Sequence, residues 1–127
     1  MTIPPPCASD DDAAFHARLL ITFQAEASQH VKELLATLTA VAGTSAEEHS
    51  ALLATAHRTA HSLTGAARCV ELADLAQGCA KVELVLRQLT QSGHGTTSAQ
   101  LQRLSADIDA LSAMVQVLSG PKERHDD

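Results

Sequence analysis

Apolar residues recur along this chain at intervals of three and four in four separate runs, the pattern of helices that each bury one face. The first run starts near Ser9 to Asp12, where small polar and acidic residues suit unpaired N-terminal amides, and extends to about Ala42 before Gly43. Phe23, Ala27, Leu34, Leu38 and Val41 form its stripe. The second opens on Ser45 and Glu48, spaced as a capping box, and runs to about Cys69. Its stripe is Leu52, Ala56, Ala60, Leu63, Ala67 and Val70. The third covers about Glu71 to Gln91, with Leu72, Leu75, Cys79, Val82, Leu86 and Leu89 on one side. The turn-forming stretch SGHGTTS then precedes a fourth, in which Thr97 and Gln100 repeat the capping-box spacing. Leu101, Leu104, Ile108, Leu111, Val115 and Leu118 line that helix up to Gly120-Pro121.

Four amphipathic helices with short connections predict an all-α fold, an antiparallel up-down-up-down four-helix bundle. The bundle is expected over residues 9–119, after a flexible Pro-rich lead-in at 1–8 and before a charged tail at 120–127. The boundary between the second and third helices is the least sharply marked.

Composition supports the same class. The 127 residues suit one domain, and 45% are hydrophobic, yet the only aromatic rings of the Phe, Tyr or Trp type are Phe15 and Phe23. Ala and Leu dominate instead, and both are strong helix formers. A net charge of −6 without stacking rings argues against nucleic-acid binding and against a basic helix adsorbed to a membrane. No apolar run approaches the length of a membrane span, and MTIPPPCASDDD lacks the charged and apolar regions of a secretion signal. A cytoplasmic, monomeric protein is expected, and Met1 with the acidic tail favours a free-standing one. Cys7, Cys69 and Cys79 are odd in number and form no CxxC pair, so reduced thiols are expected, two of them acting as small core residues.

The candidate chemistry lies in AHRTAHSLTGAARCV, Ala56 to Val70. At about 100° per residue the second stripe spans roughly 80° of the helix, and His61 falls on the opposite side. His57, Thr64, Gly65 and Arg68 are placed on the same outward half. Gly65 either gives a partner close access to His61 or lets a neighbouring helix approach. His57 and His61 are also spaced as a helical metal pair, but no HExxH and no clustered third ligand accompanies them, so no metal site is assigned. His16, His30, His49, His94 and His125 receive no role; His30 falls on the inner face of its helix as a partly buried packing residue.

AHSLTGAARCVELADLAQGCAKVE, Ala60 to Glu83, resembles the histidine-containing phosphotransfer (HPt) domains of bacterial phosphorelays, in particular that of chemotaxis-type histidine kinases. The family pattern of His-x-x-Lys-Gly, a Leu-rich helix and a Glu reads here as His61, Thr64, Gly65, Leu72, Leu75, Val82 and Glu83. The first helix, FHARLLITFQAEASQHVKELLATLTAV, resembles the family's opening helix more weakly. Three positions depart from the pattern: Thr64 stands for the family's Lys, Glu71 for a Gly after the second helix, and Ala80 for a His one turn before the Glu.

The resemblance implies that His61 is the phospho-acceptor, exchanging a phosphoryl group with the aspartate of a response-regulator receiver domain or taking it from a hybrid histidine kinase. Glu83 would orient the imidazole, although taken without the resemblance it reads as a solvated surface carboxylate. Thr64 and Arg68 would neighbour the phosphoryl group, with Arg58 as a second cation. Ala54, His57, Arg58, Gly65 and Arg68, flanked by the first helix, form the expected partner-binding face. No cofactor of its own is implied, Mg²⁺ coming from the receiver, and no P-loop or kinase glycine loop gives the chain a nucleotide site. The alternative is a helical scaffold that binds a receiver domain or a partner helix without carrying phosphate, a decayed HPt domain, and the missing Lys is its main support.

Overall fold

The computed structural model describes residues 10–91 and 96–118. Within them the chain forms α1 (Asp10–Val41), α2 (Ala46–Cys69), α3 (Ala73–Gln91) and α4 (Ser98–Gln116), with no strand among the described residues. Each helix packs on the next, and α4 closes on α1. This is the arrangement of an all-α antiparallel four-helix bundle. The expected lead-in at 1–8, the tail at 120–127, Cys7, His94, His125 and the Gly120-Pro121 stop lie outside the described residues.

The predicted stripes form the core. Leu34, Leu53, Leu63, Leu86, Leu104 and Ile108 are its largest fully buried side chains, and Val41, Val82, Val115 and Cys79 fill between them. Small residues let the helices pack closely: a Cβ on Gly78 would stand 2.8 Å from Leu111 Cδ2, so the Leu111 side chain of α4 packs directly on the backbone of α3 there. At 32 residues, α1 is about 48 Å long, against about 28 Å for α3 and α4. Residues 12–18 are exposed, and burial begins in earnest at Phe23. Gln24 marks the edge of the bundle, where its amide donates to the carbonyls of Val115 (2.9 Å) and Gln116 (3.2 Å) at the end of α4. Those carbonyls belong to the last turn of a helix and need outside donors.

The helix starts follow the caps written in the sequence. Thr97 and Gln100 form the full reciprocal box at α4. At α2 Ser45 accepts from the Glu48 amide at 3.4 Å, and the returning half of that box is not made.

Three expectations need correction. The third helix begins at Ala73, not Glu71. Glu71 has φ = 63°, and its amide donates to Arg68 O while the Leu72 amide reaches back to Ala67 O at 2.9 Å. That bond pattern is a Schellman turn, whose left-handed position favours glycine because it lacks a Cβ. In α2, Leu53 is buried and Leu52 only half-buried. Cys69 is exposed, leaving Cys79 as the core thiol.

A candidate phosphotransfer site in the seam between α2 and α3

The buried sector of α2 is wider than its Ala-Leu stripe, because the helix packs on both α1 and α3. On a helical projection Leu53 and Thr64 extend it to about 120°, towards α3, and His57 comes next at the rim. Here the structure departs from the sequence reading, which put Thr64 and His57 on the outward half. Thr64 is 2% exposed. A threonine can be buried at small cost when its hydroxyl bonds back to the preceding turn, and Thr64 donates to Ala60 O at 2.9 Å. His57 is half-buried.

His61 stands one step further round, with 73% of its side chain exposed. Its Nδ1 is 2.6 Å from Oε2 of Glu83, which α3 holds at the seam with only 18% of its side chain exposed. Burial acts to raise the Glu83 carboxyl. The hydrogen bond and charge of His61, the Thr64 hydroxyl and the charge of His57 outweigh it, and hold the group below its ordinary range. Glu83 is therefore an ionised acceptor. An ionised carboxylate cannot donate, so the proton of this bond belongs to His61 Nδ1, and Nε2 of the neutral ring carries the lone pair.

His57 shares the same oxygen. Its Nε2 is 3.8 Å from Glu83 Oε2, and its ring stacks on His61 with centroids 6.4 Å apart and planes inclined by 14°. Cys79, one turn before Glu83, is a protonated thiol: burial first, and the Glu83 charge second, push its pKa up to about 11.

The other predicted residues surround this group unequally. Gly65 is exposed, and a Cβ there would meet nothing within 4 Å, so it is not a helix-packing glycine. Arg68 is exposed two turns along, about 10 Å down the axis from His61. Arg58 is exposed and bonds to Thr55 at 3.3 Å on its own helix. Ala54, His57 and Arg58 line a cavity of about 200 Å³ whose other wall is Arg87, Thr90 and Gln91 of α3. The candidate face thus continues onto α3, where sequence reasoning had flanked it with the first helix.

Two further histidines resolve. His30 is half-buried and lies 3.4 Å from Glu33. His49, assigned nothing, accepts from the Thr96 amide at 3.1 Å through Nε2, with the Thr96 hydroxyl 2.7 Å away. It ties the start of α2 to the start of α4, a contact between distant segments that no local pattern announces. Among the described residues no group of three or more His, Cys, Asp or Glu side chains could hold a metal ion. No described helix is long and apolar enough to cross a membrane.

A family model for the Hpt domain matches residues 18–116. No curated protein and no solved structure matches the chain significantly. The chain belongs to the Hpt domain family, the histidine phosphotransfer carriers of two-component signalling.

Proposed function

We propose that His61 is the phospho-acceptor of this domain and exchanges its phosphoryl group with the aspartate of a response-regulator receiver domain. The observation that carries the reading is the 2.6 Å contact from Nδ1 to a seam carboxylate on a ring that is 73% exposed. One nitrogen is held, and the other is left with a lone pair on a ring open to solvent.

In the forward step, the Nε2 lone pair forms an N–P bond as the P–O bond of the aspartyl phosphate breaks. The electron pair of that bond leaves with the carboxylate. The ring gains positive charge, which Glu83 stabilises through the retained Nδ1–H, and the reverse step returns the phosphoryl group by the same path. Transfers of this kind depend on positioning and charge neutralisation more than on covalent machinery in the carrier. The carrier therefore works without a kinase or nucleotide site of its own, and the receiver contributes Mg²⁺ and its acidic pocket.

Of the proposed phosphoryl neighbours, Arg68 and Arg58 are exposed cations on the acceptor's helix. Thr64 is buried with its hydroxyl donated to Ala60 O, and it does not reach the phosphoryl group. Partner docking is proposed over Ala54, His57, Arg58, Gly65 and Arg68, extended to Arg87. The burial of Thr64 leaves no cation one turn after His61, and this favours the second reading, a scaffold that binds a receiver without carrying phosphate.

One experiment separates the two. Wild-type protein and His61→Gln are incubated with several phosphorylated receivers, and label is tested for acid lability and alkali stability. Label on the wild type alone, with a ³¹P signal of Nε2-phosphohistidine, is the expected result. Absence of label from both proteins with every receiver favours the scaffold.

A further inference from the structure

The phosphotransfer reading places His57 only on the docking face, yet its placement beside Glu83 is specific. The Nε2 atom is buried, has no hydrogen-bond partner and points towards Glu83 Oε2 at 3.8 Å. A buried polar atom without a partner is uncommon and disfavoured. Here the nearest acceptor is an ionised oxygen less than 1 Å beyond bonding range, already holding His61. The parallel stack fixes the spacing of the two rings, since His57 and His61 are one turn apart on a rigid helix.

We propose that His57 is a positioning residue for His61. Its neutral ring carries the proton on Nε2 and donates to Glu83 Oε2 as the seam closes around the reacting ring. Two imidazole donors, His57 Nε2–H and His61 Nδ1–H, then converge on one carboxylate oxygen. The carboxylate loses its freedom to swing, and His61 is kept in the tautomer whose Nε2 is the nucleophile. His57 touches neither phosphorus nor the attacking nitrogen, and acts only through Glu83.

This inference rests on the proposed role of His61, and the test separates the two. His57→Leu removes the donor and keeps the bulk. His57→Gln keeps an N–H near the original Nε2. Both variants are compared with wild type by circular dichroism, by ¹⁵N-resolved NMR of the His61 ring, and by the rate of phosphoryl uptake from a phosphorylated receiver. In His57→Leu the single Nδ1–H tautomer of His61 gives way to a mixture, and uptake slows by roughly tenfold, the scale set by small misplacements of reacting groups. His57→Gln restores both. An unchanged His61 tautomer in His57→Leu, or a Gln variant as impaired as Leu, overturns the proposal. If wild type takes up no phosphoryl group, the role of His61 fails, while the tautomer signal still decides whether His57 positions the ring.

Discussion

Two seams of the bundle, α1–α4 and α2–α3, are built differently. The buried side chains of α1 and α4, Phe23, Ala27, Val31, Leu34, Leu38, Val41, Leu104, Ile108, Leu111 and Val115, are all apolar, and the polar link of Gln24 between these helices stands at the very end of α4. Where α2 meets α3, the one buried polar residue of the described core, Thr64, lies beside Glu83, His57 and the thiol of Cys79. Polar groups in a packed seam weaken it unless each is bonded. Here they cluster round one carboxylate, and that carboxylate bonds the most exposed histidine of the group. The difference separates the labour: α1 and α4 are apolar throughout their buried faces, and the closely packed α2–α3 seam also holds a ring.

The comparison breaks most easily in the scaffold. Ile108→Ala, at a site with 0% exposure, is expected to cost about 2–5 kcal/mol by removing buried methyl groups and leaving a cavity. Denaturant unfolding measures it. Glu83→Gln should show the reverse profile, slowing phosphoryl uptake by on the order of a hundredfold while changing stability by no more than about 1 kcal/mol. If Ile108→Ala proves harmless or Glu83→Gln unfolds the domain, the seams are not specialised in this way.

Acid sharpens the second variant. The Glu83 carboxyl is held below its ordinary value near 4.5, so its contribution is complete above that value. The contribution is lost as pH falls further, through the folded-state value. The stability gap between wild type and Glu83→Gln should therefore be full at about pH 5.5 and shrink below about pH 4.5. A gap that is already closed at pH 5.5 contradicts an ionised seam carboxylate.

The fold was legible in the sequence because four uninterrupted apolar stripes have only one economical way to bury themselves. The exposure of His61 was legible for the same reason, since it lies opposite its stripe. Its partner was not: twenty-two positions separate His61 from Glu83, and only the likeness to a known motif joined them. Thr64 and His57 were misplaced because a stripe made largely of alanine marks its centre well and its edges poorly. The second neighbour of α2 widened the buried sector past both. Cys69 failed differently, as a hydrophobic-looking residue in the last turn of a helix, where little remains to cover it. Glu71 was read as the start of the third helix although it stands where the resembled pattern has a Gly, and the backbone shows it to be a left-handed cap.

That cap supplies a smaller effect. Glu71→Gly should stabilise the protein by about 1 kcal/mol, because the Schellman turn then closes without a Cβ in the left-handed region. The position lies beyond the last residue of α2 and ten positions from His61, so transfer should be unchanged. A loss of stability would mean that the Glu71 side chain contributes more than its backbone costs.

The smallest change tests the face itself. Gly65 lies in the interior of α2 with open space where a side chain would be, so Gly65→Ala meets no clash. Alanine should raise thermal stability by about 0.5–1 kcal/mol, the ordinary gain at an exposed helical glycine. A methyl group one turn from His61 would nevertheless stand in the path of a partner approaching the ring. Uptake from a bulky phosphorylated receiver should therefore slow, whereas uptake from a small donor such as phosphoramidate should not. A variant that is more stable and unchanged with both donors would show that the open space serves no partner. A variant slowed equally with both would place the effect on the ring and not on docking.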